Sequence, residues 1–277
     1  MSEDPRLRIN KDTKLCMSLA SRPGNFGTRL HNFLYAAMGL NYVYKSFSTT
    51  DLKSAIAGIR ALAIRGCAIS MPFKEEVMQY LDHIDPSAAR IAAVNTIVND
   101  DCVLTGLNTD YTAIQKIISE KAVPLSAHIC VFGSGGMAKA IISALDDLGY
   151  RTVTIVARNA RTAGPLAEKY GYRWLHEISE TEGYQALINA SPVGMFPDTQ
   201  SCPFSDVHIR HAELVIDSVA NPVQTQLIRT AAALRRAYVT GFDITILQSV
   251  EQFHLYTGAV PEQATLNAAR EFVQAAM

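Results

Sequence analysis

The residues best able to do chemistry fall in a few short stretches of the chain. Gly133-Ser134-Gly135-Gly136-Met137-Ala138 follows the apolar run His128 to Phe132 and leads into a helical pattern. This is G-x-G-x-x-G/A in the strand, turn and helix context that dinucleotide binding requires. Gly133 permits the tight turn, Gly135 lets backbone approach a pyrophosphate, and Ala138 is small enough for helix-strand contact. Backbone N–H groups and the helix dipole then face the anion. The competing meaning is a glycine-rich turn that binds nothing. About 20 residues further on, an NAD site usually offers an acid to the ribose 2′-OH. Here Ala157-Arg158-Asn159-Ala160-Arg161-Thr162 has two cations and no acid. A guanidinium can hold a 2′-phosphate bidentately and stack on adenine, so NADP is favoured over NAD.

A candidate proton-transfer group stands earlier. Ser70-Met71-Pro72-Phe73-Lys74-Glu75-Glu76 follows a strand pattern and is expected to open a helix. A lysine in a helix's first turn has its neutral form favoured by the dipole, which moves it toward use as a general base. Taken alone, a surface lysine is the commoner meaning of such a residue. Asn108-Thr109-Asp110 lies at a strand-to-helix junction and equally describes an N-cap cluster. Val94-Asn95-Thr96 equally describes an ordinary strand start.

The elements that must position these residues are read from periodicity. Lys14 to Ala20, Tyr42 to Phe47, Gly66 to Ser70, Asn95 to Val98 and Val103 to Leu107 are rich in β-branched and aromatic residues and predict strands. Thr28 to Met38 predicts a helix with Leu30, Phe33, Leu34 and Ala37 on one face, and Thr50 is expected to cap a helix through Leu52, Ile56 and Ile59. From about Thr112 the alternation is regular. Ala127 to Phe132, Thr152 to Val156, Ala186 to Asn189, Leu214 to Asp217 and Ala237 to Thr240 predict strands; Gly136 to Leu148 and Ala160 to Lys169 predict helices. Helix-length connections demand parallel pairing, hence a doubly wound sheet. Ile244 to Tyr256 and Glu262 to Ala276 predict two closing helices whose placement periodicity leaves open.

Composition excludes other classes. The chain has 277 residues, 48% hydrophobic and 18% charged, with a net charge of -1. Such a chain folds, and its length predicts two domains or one large α/β domain. No basic field or Lys/Arg run marks a nucleic-acid partner. The polar start, MSEDPRLRINKDTK, and the absence of a long apolar run predict a cytoplasmic protein with no membrane partner. Cys16, Cys67, Cys102, Cys130 and Cys202 are odd in number and form no C-x-x-C pair, so core or near-core thiols are expected. His208 and His211 lie in a polar, turn-like stretch without a nearby third ligand, so no metal is expected.

Taken together, these residues resemble the shikimate dehydrogenase family. Pro72-Phe73-Lys74, Val94-Asn95-Thr96, Asn108-Thr109-Asp110, Gly133-x-Gly135-Gly136-x-Ala138, Asn189-Ala190-Ser191, and Gly241 with Gln248 occur in its order and spacing across nearly the whole chain. The resemblance implies an α/β fold with an N-terminal mixed αβ substrate domain, 1–112 with 247–277, and an NADP-binding Rossmann domain with a parallel sheet, 113–246. The C-terminal helices would return to the first domain. Lys74 and Asp110 look like the catalytic pair, and Asn25, Ser70, Asn95 and Gln248 like substrate contacts. Gly133, Ser134, Gly135, Gly136, Met137, Ala138, Arg158, Asn159, Arg161, Ser191, Val219 and Gly241 look like cofactor contacts. The implied activity interconverts shikimate and 3-dehydroshikimate with NADP, in aromatic amino acid biosynthesis by the chorismate pathway. The partner would be a hydroxylated cyclohexene carboxylate; whether the chain is a monomer or a homodimer is left open.

The sequence also departs from the family's pattern. The family usually carries Ser-x-Ser-Pro for the substrate carboxylate, and Asn25-Phe26-Gly27-Thr28 stands there instead. A tyrosine expected after the late Asp-containing strand is replaced within Asp217-Ser218-Val219-Ala220, and Asp243 stands where glycine is common. Losing two neutral hydrogen bonds at about 1 kcal/mol each raises a dissociation constant by about one or two decades. The chain therefore looks like the shikimate dehydrogenase-like branch. The alternatives are a quinate or aminoshikimate-type dehydrogenase and a non-enzymatic NADP-binding sensor.

Overall fold

The computed structural model describes residues 9–276; the polar stretch 1–8, on which the expectation of a leaderless start partly rests, and Met277 lie outside the described residues. The chain begins with β1 (Lys14–Ala20), α1 (Phe26–Ala37), β2 (Tyr42–Ser48), α2 (Leu52–Ala61) and β3 (Gly66–Ile69). A short 3-10 helix, Glu76–Tyr80, leads to β4 (His83–Ile84), α3 (Pro86–Ala89), β5 (Thr96–Asp100), β6 (Val103–Leu107) and α4 (Thr109–Glu120). Strand and helix then alternate: β7 (Ile129–Phe132), α5 (Gly136–Asp147), β8 (Val153–Val156), α6 (Ala160–Tyr170), β9 (Arg173–Leu175) and β10 (Ala186–Asn189). The last elements are α7 (Asp206–His211), β11 (Leu214–Asp217), α8 (Gln226–Ala233), β12 (Ala237–Val239), α9 (Gly241–Thr257) and α10 (Gln263–Gln274).

These elements form two compact units, Met1–Thr109 with Gln248–Met277, and Asp110–Leu247. In the first, a sheet ordered β2-β1-β3-β5-β6-β4 is parallel at β1, β2 and β3 and antiparallel at β3–β5 and β5–β6. The reversal at β5–β6 takes only Asp101 and Cys102, at φ 50° and 69°. A two-residue hairpin needs that left-handed backbone to match strand twist, and it puts Cys102 at the surface. Met17, Leu19, Ile56, Val77, Ile97 and Leu104 close this unit's core. The C-terminal helices belong to the same unit. Phe272 of α10 packs on Phe33 of α1 at 5.1 Å between ring centroids. Tyr256 of α9 lies so close to β3 that a Cβ on Gly66 would come within 2.2 Å of its ring.

The second unit is an all-parallel sheet ordered β12-β11-β10-β7-β8-β9. Chain direction across the sheet reverses between β7 and β10, and open α/β sheets bind ligands outside the carboxyl ends of strands at such a switch point. No helix among the described residues is long and apolar enough to cross a membrane.

Several local expectations are corrected. Asp51, not Thr50, caps α2, its carboxylate accepting the Ser54 N–H at 3.0 Å. The buried face of α1 is Leu30, His31, Leu34 and Tyr35 rather than one including Phe33 and Ala37. Lys74 does not sit in a helix's first turn: residues 71–75 form turns, and the helix beginning at Glu76 is a single 3-10 segment. His208 and His211 lie on a helix, α7, and the His208 ring nitrogens are engaged by the Ser205 hydroxyl and the Ser179 carbonyl at 2.9 and 3.0 Å. Cys102 is exposed rather than near-core. α9 starts three residues before Ile244, because Asp243 accepts from the Thr240 N–H and hydroxyl at 3.1 and 2.6 Å while its own N–H donates back to that hydroxyl. Such reciprocal bonds satisfy orphan donors at a helix start.

One buried group makes the first unit sensitive to acid. His31 is fully buried, stacked on Tyr44 at 4.4 Å and flanked by Tyr35, Phe253 and Tyr256. Neither ring nitrogen has a hydrogen-bond partner among the described residues. Burial pushes its pKa down to about 3. The unfolded chain therefore binds this proton near pH 6.5 while the folded one refuses it, so the stabilisation is complete above about 6.5 and is lost as pH falls. Between pH 7 and pH 5 wild-type urea stability should fall by about 2 kcal/mol more than that of a His31→Phe variant. Parallel pH profiles of the two proteins would refute this.

Candidate active site

On the first unit the candidate residues gather at the end of β3 and the start of β5. Beyond Ile69 the chain is tied to β1 by the Ser70 N–H on the Leu19 carbonyl at 3.0 Å and the Ser21 N–H on the Met71 carbonyl at 3.3 Å. Phe73 buries its ring in the core, anchoring the turn, and the Lys74 carbonyl accepts the Val94 N–H at 2.8 Å. The Lys74 backbone is thereby fixed beside Val94-Asn95-Thr96, with its side chain half-buried. Ser70 is exposed on the same turn.

Asn95 is held by three hydrogen bonds. Its side-chain oxygen accepts the Thr109 N–H at 2.8 Å, the Thr109 hydroxyl at 3.2 Å and the Thr96 hydroxyl at 2.8 Å. An amide whose oxygen is fully engaged is locked in rotation. Its NH2, which makes no hydrogen bond among the described residues, is left to donate to a ligand oxygen. Asp110 follows directly on Thr109 and is buried in the first turn of α4, where a carboxylate is favoured by the helix dipole. Asn108, by contrast, is committed to structure, accepting no ligand role: its N–H bonds Ser87 and its side chain the Ala93 carbonyl at 2.8 Å.

Sequence reasoning missed Gln252. Its side chain donates to the Thr96 hydroxyl at 2.9 Å and to the Asn95 carbonyl at 3.4 Å, tying α9 to the Asn95 cluster. The available signal was a second glutamine one turn after Gln248, hence on the same face of α9. Asn25 caps nothing: it precedes α1 with no side-chain bond to the helix, and it is exposed.

The second unit holds the phosphate-binding candidates. Gly133 adopts φ 128°, and a Cβ there would come within 2.7 Å of the Ala190 carbonyl oxygen, so no side chain fits. Gly135 and Gly136, at the start of α5, face open space, which leaves backbone N–H groups accessible. Met137 is half-buried in the first turn of α5 and Ala138 fully buried against the sheet. Beside this loop is a cavity of about 470 Å³ lined by Gly133, Ser134, Arg158, Asn159, Ser191 and Val193, among others. Ser134 and Thr162 hydroxyls join the loop to α6 at 2.7 Å, and the Asn159 side chain caps α6 through the Arg161 N–H at 3.1 Å. Arg158 and Arg161 are exposed and make no ion pair among the described residues. A glycine cradle, an uncapped α5 start and two such guanidiniums fit the phosphates of a dinucleotide, the 2′-phosphate included.

Buried polar bonds hold the rim of that cavity. Asn189 accepts the Ser191 N–H and hydroxyl at 3.1 and 2.8 Å and donates to Asp217 at 2.9 Å. Asp217 in turn accepts the Val219 N–H at 3.0 Å and the Thr225 hydroxyl at 2.5 Å. Burial pushes the Asp217 carboxyl up, an effect those donors oppose. Val219 packs so closely on α9 that a Cβ on Gly241 would meet its carbonyl at 2.3 Å.

Residues 26–97 match the family model described as the shikimate dehydrogenase substrate binding domain. The chain is 46% identical over 268 residues to a shikimate dehydrogenase-like protein of Haemophilus influenzae, covering 96% of this chain and 98% of that one. It is 33% identical over 245 residues to a shikimate dehydrogenase (NADP(+)) of Moorella thermoacetica, covering 83% and 82%. The solved shikimate 5-dehydrogenase of Thermus thermophilus, in complex with NADP(H) and shikimate, superposes with a TM-score of 0.83 at 27% identity, over 94% of this chain and 99% of that one.

The Asn95 cluster makes its own prediction. Gln252→Leu strips a donor from Thr96 and should cost about 1–2 kcal/mol in urea unfolding. The loss should not add to that of Thr96→Val in a double-mutant cycle. Additive losses would mean that Gln252 does not act through Thr96.

Proposed function

The chain belongs to the shikimate dehydrogenase family, and on that premise we propose that it is an NADP-dependent oxidoreductase interconverting shikimate, or a close ring analogue, with its 3-keto form. The observation that carries this reading is the Lys74 turn held against a rotationally locked Asn95. The fixed backbone bond and the engaged amide oxygen support assigning these side chains to a ligand.

Bound NADP supplies a two-electron acceptor for carbon. The rest falls to the protein. Oxidising a secondary alcohol requires removal of its O–H proton, and Lys74 is the base or proton relay for that step. Asp110, buried in the first turn of α4, is assigned as the second member of the catalytic pair. In the reverse direction protonated Lys74 stabilises the developing alkoxide. Asn95 donates its NH2 to a ring hydroxyl, with Ser70 and Gln248 as further contacts. The glycine loop from Gly133 to Ala138 takes the pyrophosphate; Arg158, Asn159 and Arg161 take the 2′-phosphate end; Ser191, Val219 and Gly241 shape the remaining wall. The pathway is aromatic amino acid biosynthesis, and the protein acts in the cytoplasm.

A second reading, a dehydrogenase for quinate or an amino analogue, is favoured by Asn25 and Gly27 at the positions of the usual carboxylate-binding serines. Turnover compared across shikimate, quinate and aminoshikimate with either nicotinamide cofactor decides between them.

Lys74→Ala should lower kcat by roughly 10²–10⁴-fold with NADP binding preserved. Retained activity would remove Lys74 from the chemistry, and a wild-type protein that binds NADP but turns over none of these substrates would be a sensor. Arg158→Ala should raise KM for NADP by at least about tenfold, the value of one charge-assisted contact, with NAD use nearly unchanged. Equal effects on both cofactors would exclude the 2′-phosphate clamp.

A further inference from the structure

Arg65 stands at the entrance to β3, immediately before Gly66, and both of its backbone groups are tied to neighbouring strands. Its N–H donates to the Leu15 carbonyl at 2.8 Å, and its carbonyl accepts the Asn99 N–H at 3.0 Å. The half-buried side chain then reaches across to α9. Nε donates to the Tyr256 carbonyl at 2.8 Å and Nη2 to the Leu255 carbonyl at 3.2 Å. Nη1 donates to the Asn99 carbonyl at 2.8 Å and pairs with Asp100. The Asp100 side chain is 71% exposed, so that ion pair contributes little, and the three carbonyl bonds define the contact.

Leu255 and Tyr256 belong to the last turn of α9, where helix carbonyls lack intrahelical donors. A guanidinium there satisfies two of them and puts a cation at the negative end of the helix. Lysine is no substitute, because only the planar fork of arginine reaches both helix carbonyls and Asn99 together.

The place of this clamp along α9 gives it a role beyond capping. One turn back, Gln252 donates to the Thr96 hydroxyl at 2.9 Å. The helix is therefore pinned beside β5 at two points, Thr96 and Asn99. A further turn back is Gln248, so that 248, 252 and 256 form one stripe at i, i+4 and i+8. Gln252 is the midpoint, with arms of about 6 Å on either side. With that pin alone the helix could pivot, and a sideways movement at Tyr256 would return at Gln248 with about the same size. Apolar contact, such as that of the Tyr256 ring on Gly66, holds the helix down without fixing its direction, because burial is non-directional. The guanidinium bonds are directional.

We infer that Arg65 is a positioning residue for the substrate: its clamp on the last turn of α9 sets where Gln248 presents its amide. This rests on the function proposed above, in which Gln248 is a substrate contact, and adds the group that holds it in place. Arg65 acts through the helix, about 12 Å of whose length separates the clamp from Gln248.

Calorimetric titration of the full-length protein with shikimate and, separately, with NADP tests the assignment. Arg65→Gln should weaken shikimate binding about fivefold, the value of one neutral hydrogen bond, and leave NADP binding within about twofold. The decisive measurement is a double-mutant cycle with Gln248→Ala, in whose background Arg65→Gln should cost no further shikimate affinity. A merely structural loss would add in full or fall on both ligands. Arg65→Lys keeps the cation at the helix end without the fork, so it carries the same cycle should Arg65→Gln fold poorly. Unchanged shikimate affinity in both variants, losses additive with that of Gln248→Ala, or equal losses for shikimate and NADP overturn the inference. A wild-type protein that binds NADP but neither binds nor turns over shikimate, quinate or aminoshikimate overturns the proposed function with it. Shikimate turnover that Lys74→Ala abolishes leaves that function standing, whatever Arg65 does.

Discussion

The side-chain oxygen of Asn95 is the acceptor on which the substrate-side geometry depends. It takes an N–H and a hydroxyl from Thr109 and a hydroxyl from Thr96, all buried. Those bonds join the start of β5 to the start of α4, and Gln252 adds α9. Buried polar networks are costly when half-satisfied and rigidifying when complete. Here completion fixes Asn95, ties it to Thr109 at the start of α4, and places the Lys74 turn, because Val94 immediately before Asn95 donates to the Lys74 carbonyl. A polar side chain buried in this way spends its acceptor on the fold.

The second unit solves a different problem with absence of side chains. At Gly133 and Gly241 the neighbouring backbone lies too close for a Cβ, whereas at Gly135 and Gly136 nothing fills the space. The first pair lets chain segments touch, and the second pair leaves room for phosphate oxygens against backbone donors. The Asn189–Asp217–Thr225 bonds join the ends of β10 and β11 beneath that rim. Placing an acid there carries a desolvation cost, seen in the upward push on Asp217, and three donors, from Asn189, Val219 and Thr225, oppose it.

Much of this was legible beforehand. The alternation of short apolar runs with helical patterns after Thr112 has one low-strain solution, a parallel doubly wound sheet, and Gly133 reports its own backbone constraint because only glycine tolerates its φ and its contact with Ala190. Elements short of a full hydrophobic period were not legible: β4, α3, β9 and α7 are two to six residues long. Such segments exist because neighbours pair with them, and a local window contains no trace of the neighbour. The start of α9 and the cap of α2 were misplaced for the same reason, since a cap depends on which side chain actually reaches an orphan N–H.

The sequence by itself determined which residue types were available for chemistry, the glycine constraints and the period of each long element, because these are properties of the local chain. Only tertiary structure decided which of them are spent. It committed Asn108 to Ser87 and Ala93, recruited Gln252 from 156 residues beyond Thr96, buried His31 with no hydrogen bond to its ring nitrogens among the described residues, and brought Ser18, Thr28 and Ser46 together. Hydrogen bonds act over about 3 Å, and residues far apart in sequence come within that distance only when strands and helices pack.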